Sequence, residues 1–491
     1  MSDVSVGKYK ERLNIDGSRQ IKGVHYQESW APVANWSTIR LMNTWEIINN
    51  WKTIHIDFVQ AFPQAPIESE INMKIPRGYT VMQENNQTKL IQTDDIDDHK
   101  WDSQKYTLKL LRNLYGQVQA GKVWKTYLTN KLLHIGFIPS KTEECVFYSQ
   151  DIIYILYTDD SILIGKNMNI INKTILKMKQ QKLNLTVLGD VQEFLGVQFS
   201  WNEGSTTTTN HKTVSFSENI TNVMEMTMKT QQLDNQIGQR ESIKPILYHK
   251  NQSPDKSIHE NDTIKFKSKK ILHMKQPFLI QSILRELKLC NEAKIKETPG
   301  SSTNILLKHN EDDEFDNSFD YRRVIGMMNY LAKCTRPDIE YQVHQCARFS
   351  SCPKKKHGQA VIWIGRYLLV TKNKGIIFKT NEDECNKLTF YVDTDFVGNY
   401  KSGTNQTEDI DTSRSRYGFA INYSGIPMMR ASKLQTVITL SSTESEYVGL
   451  SEASRKIIPI MRLMLEMKDK GFIKSLNTPS IQCTMFEDNS G

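Results

Sequence analysis

Asp159 and Asp160 stand side by side between two strongly apolar runs, in the segment IIYILYTDDSILI that spans 152–164. The flanks are rich in β-branched and aromatic residues, which predicts two buried strands with the polar break as their hairpin turn. Ionised carboxylates at the edge of a core are costly unless a positive group meets them, and a divalent ion is the strongest candidate. A solvated hairpin turn accounts for the same letters, because Asp is a common turn residue. A further acid, Asp57, lies near the end of an apolar stretch from Thr53 to Phe58. Carboxylates on separate strands suit a pair of Mg2+ ions about 3.5–4 Å apart, the arrangement used for in-line phosphoryl transfer. One ion would activate a primer 3′-hydroxyl, and the other would hold the triphosphate and the departing pyrophosphate. Phe62 follows Asp57 by five residues at a strand-to-helix bend, a position that suits plain core packing as well as a ligand contact.

A second set of acids is spread over the last hundred residues. Asp393 ends a strand running from Leu388 to Val392, and Asp488 follows another from Ile481 to Phe486. Between them Glu446 occupies the first turn of a long helix that begins after the cap-like Ser441-Ser442-Thr443. An acid there also favours the helix dipole, and its neighbour Glu444 could fill that role. Strand-end acids on either side of Glu446 point to a second two-metal phosphodiester site.

The elements that must position these groups are legible from hydrophobic spacing. Ile39, Met42, Trp45 and Ile48 recur at helical intervals within 35–50, after the candidate caps Asn35 and Ser37. A strand with Asp57, a helix over 122–135 and the Asp-Asp hairpin follow, then a helix near 170–183 and a hairpin over 187–199. This order predicts a split β-α-β arrangement with acids converging from distant positions. From 201 to 270 the chain turns polar, with four threonines at 206–209 and the basic cluster from Lys265 to Lys270, and reads as a mobile, poorly packed insertion. An acidic stretch from Glu311 to Asp316 precedes a helix from Tyr321 to Cys334. Strand Leu388–Val392, strand 417–423, the long helix and strand Ile481–Phe486 make a compact α/β unit.

Composition bounds the answer. A chain of 491 residues holds two to four domains, since one core rarely exceeds about 250–300 residues. With 38% hydrophobic and 24% charged residues it reads as a soluble globular protein, and a net charge of +8 permits a polyanionic partner without requiring one. Seven cysteines at irregular gaps, with no C-x-x-C, predict free thiols in a reducing compartment rather than disulfides or structural zinc. The polar start MSDVSVGKYKERLN is no signal peptide, and no apolar run approaches the ~18 residues of a membrane span. The expected location is the cytoplasm or the nucleus.

In its longer segments the chain resembles the reverse transcriptase–ribonuclease H region of copia-type LTR-retrotransposon polyproteins. The matching stretches are YKERL (9–13), HYQESWAPVANWSTIRL (25–41), HIDFVQAFPQAPIESEINMKIPRGY (55–79), LRNLYGQVQAGKVW (111–124), LLHIGFIPSKTEECVFY (132–148), YTDDSILIG (157–165) and LGDVQEFLGVQF (188–199). They continue with YRRVIGMMNYLAKCTRPDIEYQVHQCARF (321–349), YVDTDF (391–396), ASKLQTVITLSSTESEY (431–447) and EDNSG (487–491), all in the family's order.

The resemblance implies a multidomain α/β and α+β chain, with right-hand polymerase fingers, palm and thumb followed by a ribonuclease H-like α/β domain. Its boundaries would be fingers and palm over 1–200, the polar low-complexity insertion over 201–270, thumb and connection over 271–380, and the ribonuclease H-like domain over 386–491. It implies RNA-directed DNA polymerase activity with Asp57, Asp159 and Asp160 as metal acids, two Mg2+ ions per active site, and Mn2+ as a substitute. Lys10 and Arg12 would clamp the triphosphate, a task that suits the forked guanidinium. Phe62 would act as the steric gate against a ribose 2′-hydroxyl. Tyr115, Gly116 and Gln119 would line the nucleotide and template side, and Phe194, Leu195 and Gly196 would grip the primer. Asp393, Glu446 and Asp488 match three ribonuclease H metal acids. Partners would be an RNA template, a DNA primer, the RNA–DNA hybrid and dNTPs, with no membrane and with scope for a homodimer. Thr158 replaces the family's usual Val. Both ends read as shortened, so the ribonuclease H domain is expected to be incomplete and its nuclease activity weak. The alternative is a decayed element that binds nucleic acid without catalysing.

Overall fold

The computed structural model describes residues 13–76, 79–84, 87–92, 107–203, 222–229, 244–248, 270–290, 294–300, 306–307, 314–381, 384, 386–400, 410–473 and 480–487. They fall into two units. The first takes Met1–Ala34, Ile54–Ser140 and Glu144–Gly189, and the second takes Asn35–Thr53, Lys141–Glu143 and Asp190–Gly491.

Helix α1 (Trp36–Asn49) belongs to the second unit, and β1 (Lys52–Phe58) leads from it into the first. There the short α2 (Ala61–Gln64) is followed by β2 (Asn72–Met73), β3 (Tyr79–Glu84), β4 (Gln87–Gln92) and β5 (Leu108–Lys109). These four strands make two small ribbons, β2 with β5 and β3 with β4. Then come α3 (Ala120–His134), β6 (Ile138–Pro139), β7 (Val146–Ser149), β8 (Ile152–Tyr157), β9 (Asp160–Gly165), α4 (Met168–Gln180) and β10 (Leu185–Gly189). The main sheet runs β10-β1-β9-β8-β7-β6. Its central strands are unbroken apolar runs, as a sheet covered on both faces requires, and Ile152–Leu156 and Ser161–Gly165 are buried throughout. Helix α4 turns Ile171, Ile175 and Met178 inward at helical spacing, and the Asn167 side chain caps it by accepting from Ile170 N at 3.0 Å.

The second unit continues with β11 (Glu193–Phe194), β12 (Val197–Glu203), β13 (Asn222–Lys229), β14 (Lys244–Tyr248), β15 (Lys270–Lys275), α5 (Pro277–Glu286), α6 (Tyr321–Cys334), α7 (Glu340–Ala347), α8 (Lys355–Val370) and β16 (Ile376–Phe378). It closes with β17 (Leu388–Asp395), β18 (Arg416–Tyr423), β19 (Ile426–Leu434), α9 (Ser442–Asp469) and β20 (Ser480–Glu487). One sheet has the order β11-β12-β15-β16 and the other β14-β13-β20-β17-β18-β19. Helices α5 to α8 share one apolar core that includes Ile283, Val324, Met328, Val343 and Ile364. Strands β17, β18 and β19 form an antiparallel meander, and β20 lies parallel to β17 on its other side.

Two findings differ from the sequence reading. Spacing predicts an apolar stripe on α1, yet Trp36 and every residue from Thr38 to Ile47 are buried. Arg40 donates there through its two terminal nitrogens to the carbonyl oxygens of Met428 (3.0 Å), Lys333 (2.6 Å) and Cys334 (2.9 Å). Glu46, also buried on α1, has its carboxyl pushed up to about 7 by burial. The polar stretch 201–270 also contains strands: β13 pairs antiparallel with β20 from Asn222 opposite Glu487 to Lys229 opposite Ser480, and β14 pairs with β13. Met224, Met226 and Met228 alternate with Glu225 and Thr227, a period of two hidden by the polar surroundings.

The six cysteines among the described residues are unbridged, as the spacing predicts. Among the described residues no helix is long and apolar enough to cross a membrane.

Candidate active site

The turn between β8 and β9 consists of Thr158 and Asp159, because Tyr157 pairs directly with Asp160. Two-residue hairpin turns need positive φ, and here Thr158 takes it, at 57°. A β-branched residue is rarely left-handed, so something must hold the turn. The indole of Trp124, on α3, donates to the Thr158 carbonyl at 2.7 Å. On the neighbouring strand the backbone N–H of Phe58 donates to the Asp159 carbonyl at 3.2 Å. That bond places the Asp57–Phe58 peptide directly against Asp159, so acids 102 positions apart in sequence meet at one end of the sheet. Asp160 points toward β1 as well, with Oδ1 3.3 Å from Nε2 of the nearly buried His55. Side chains of a strand alternate, which puts His55 and Asp57 on one face and Asp160 with them. The strands behind are closed to solvent, whereas Asp57, Asp159 and Asp160 are each partly exposed.

Phe62 sits on α2, with its ring centroid 4.9 Å from that of Tyr115. The segment carrying Tyr115 is tied down by Asn113, whose side-chain amide donates to the carbonyls of Ala65 (3.2 Å) and Pro66 (2.9 Å). Tyr115 O accepts from Ile15 N at 2.8 Å. Gly116 follows with φ of 89°, and a Cβ there would collide with the Ile15 carbonyl oxygen, so both the conformation and the space require glycine. Gln119 is buried at the start of α3, where its Oε1 accepts from Gln20 Nε2 at 3.0 Å. Gln20 Oε1 in turn accepts from Val118 N at 2.7 Å. Phe62, Tyr115 and Gly116 are thus gathered by local packing. Lys10 and Arg12 lie outside the described residues.

In the second unit, Leu195 and Gly196 form the turn between β11 and β12, both left-handed, at 53° and 70°. Phe194 before them is buried, and the Tyr330 hydroxyl donates to Leu195 O at 2.7 Å. Asp393 is exposed on β17, opposite Gly418. Glu446 lies in α9 one turn before Gly449, the residue through which this helix approaches Thr394 next to Asp393. The helix start is served by another acid. Ser441 Oγ accepts from Glu444 N at 3.1 Å, and the Glu444 carboxylate accepts from Leu440 N at 2.7 Å. Glu444 therefore carries the ordinary helix-start role and Glu446 does not. Asp488 lies outside the described residues.

Among the described residues no group of three or more His, Cys, Asp or Glu side chains is placed to hold a metal ion, so Asp57, Asp159 and Asp160 do not form a ready three-acid site. A magnesium-class ion does not demand one, because it keeps several waters and takes one or two carboxylates plus substrate phosphate oxygens. Asp57 and Asp159 are hard oxygen donors on adjoining strand ends, partly open to solvent, and they fit such an ion; Asp393 and Glu446 have the same donor chemistry. Spacing alone does not single out His55, Trp124 or Gln20. Each looks like part of an ordinary apolar or polar run, and only the strand order shows what it touches.

Residues 1–233 match the family model described as reverse transcriptase (RNA-dependent DNA polymerase). The retrovirus-related Pol polyprotein from transposon TNT 1-94 of Nicotiana tabacum is 25% identical over 471 residues, covering 95% of this chain and 28% of that protein. The corresponding polyprotein from transposon RE1 of Arabidopsis thaliana is 26% identical, over 100% of this chain and 26% of its own length. The chain thus spans about a quarter of the length of these curated relatives. A foamy viral protease-reverse transcriptase in complex with double-stranded DNA aligns with 87% of this chain and 54% of its own at 9% identity, but its TM-score of 0.34 is too low to bear on the fold. Residues 1–233 thus carry the reverse transcriptase match, and the chain is similar from end to end to retrovirus-related Pol polyproteins of plant transposons.

Proposed function

We propose that the chain extends a DNA primer on an RNA template, with Asp57 and Asp159 as the carboxylates that hold the divalent ions. The observation that carries this reading is the hydrogen bond from Phe58 N to Asp159 O, which draws the two acids to one sheet end. When bound, two Mg2+ ions would lower the pKa of the primer 3′-hydroxyl and neutralise the departing pyrophosphate. The protein's own part is positional. Asp57 and Asp159 hold the ions, Asp160 is steadied by His55, and the Phe62–Tyr115 pair offers an aromatic floor on which Phe62 would act as the gate against a ribose 2′-hydroxyl. Lys10 and Arg12 supply cations for the triphosphate. Contacts to template and primer fall mainly on phosphate and sugar, because a copying enzyme cannot depend on base identity.

In the second unit, the β17–β18–β19 meander with parallel β20 supports a ribonuclease H-like reading, in which Asp393 and Glu446 hold ions beside the scissile phosphate of the hybrid. Phe194, Leu195 and Gly196 form a tight turn suited to gripping a primer strand.

Primer extension by the purified chain on an RNA template, with Mg2+ and dNTPs, tests the polymerase reading. Product that disappears with Asp159→Asn supports it. Salt-sensitive primer–template binding without any Asp159-dependent product overturns it in favour of a non-catalytic binder.

A further inference from the structure

Four residues around the Thr158–Asp159 turn close a ring of contacts. Trp124 Nε1 donates to Thr158 O at 2.7 Å, and Asp159 O accepts from Phe58 N at 3.2 Å. The Phe58 ring then returns to the Trp124 ring edge-on, with centroids 5.0 Å apart. Trp124 and Phe58 are both buried, at 1% and 2% exposure. The two hairpin turn types open to a two-residue loop with a left-handed first residue differ by a flip of the central peptide, the Thr158–Asp159 peptide here. That peptide ends in the Asp159 nitrogen, so its orientation sets where the Asp159 carboxylate points. The indole N–H bonds the Thr158 carbonyl and so holds that peptide in the orientation observed.

We infer that Trp124 is a positioning residue for the carboxylate pair: its indole N–H fixes the turn peptide, and its ring, through Phe58, sets the strand end carrying Asp57, so that together they fix the Asp57–Asp159 separation. The inference rests on the proposed metal-binding role of those two acids. It assigns Trp124 no contact with substrate or ion.

The test is Mn2+ binding by the purified full chain, followed by electron paramagnetic resonance, with primer extension measured separately. Asp159→Asn serves as the reference for site loss. Trp124→Phe keeps a ring and removes the N–H. Replacing Trp124 with benzothienylalanine, which swaps the N–H for sulfur at nearly constant shape, guards against a folding defect. Both changes are expected to weaken Asp159-dependent Mn2+ binding by about 10–100-fold, the usual cost of losing an outer partner of a metal ligand, with little change in melting temperature for the sulfur analogue. Unchanged Mn2+ affinity in a folded sulfur analogue overturns the inference, whatever the polymerase result. Asp159-dependent Mn2+ binding that weakens as expected in a chain unable to extend a primer sustains the inference while the polymerase reading fails. A wild-type chain with no Asp159-dependent Mn2+ binding overturns both.

Discussion

Gly449 of α9 lies so close to Thr394 of β17 that a Cβ at the glycine would collide with the threonine Oγ1 and crowd the Tyr417 side chain. The helix carrying Glu446 and the strand carrying Asp393 approach each other through this contact. Gly449→Val is expected to destabilise the second unit by about 1–3 kcal/mol, the usual cost of overpacking. The same change should move Glu446 away from Asp393. Urea unfolding checks the first effect and hybrid cleavage by the full chain the second; wild-type values in both would show the approach to be incidental.

Gly116 is held by two independent constraints, its left-handed backbone and the Ile15 carbonyl oxygen facing its α-carbon. Gly116→Ala should shift Tyr115 and loosen its ring contact with Phe62. We expect the KM for dNTP to rise about tenfold, roughly 1.4 kcal/mol of lost nucleotide binding, with a smaller change in kcat. Single-nucleotide incorporation kinetics measure both, and a KM equal to that of wild type counts against the aromatic floor.

Arg40 donates to three main-chain carbonyls, two of them at the C-terminal end of α6, and it is itself buried. Arg40→Met removes the donors and leaves those oxygens unsatisfied, at about 1–3 kcal/mol for each one that water cannot reach. Relief from burying a charged guanidinium offsets part of that cost. A net loss of about 3 kcal/mol is expected, read as a lower urea midpoint.

Glu46 gives a pH signature. Its carboxyl titrates at about 7 in the fold, against 4.5 for the ordinary group, because burial disfavours the charge. Below the unfolded value both states are protonated and burial carries no charge penalty. As pH rises through the window between those values the unfolded chain releases its proton first, so stability falls, by about 3 kcal/mol once the pH passes the folded value. Glu46→Gln lacks this titration. Its stability advantage over wild type should grow between pH 4.5 and 7 and then level off. Urea unfolding across that range is the measurement, and a difference independent of pH would place the cost elsewhere.

Much of this architecture is written in local pattern. The spacing of Tyr321 to Cys334 marks α6 with its observed bounds, and the apolar runs around Asp159 and Asp160 become β8 and β9. The acids announce themselves because a charge between buried strands needs a reason. What local pattern cannot carry is the partner across the sheet. His55 sits in a run that reads only as strand, and its approach to Asp160 depends on β1 lying beside β9. Trp124 reads as one more apolar helix residue, because a hydrogen bond from its ring to a distant carbonyl leaves no periodic trace. Arg40 and Glu46 read as the wet side of an amphipathic helix, since periodicity shows which face is apolar but not whether its opposite is also covered.

The membership of α1 has a consequence for modular exchange. The helix belongs to the second unit although the chain enters it before most of the first unit has been written. Unit membership changes along the polypeptide after Ala34, Thr53, Ser140, Glu143 and Gly189. No single cut releases either unit intact, and one crossover between two related elements would join half of one core to half of another. Recombinants of this lineage should therefore survive best where both parents already agree in α1 and in the residues that receive Arg40.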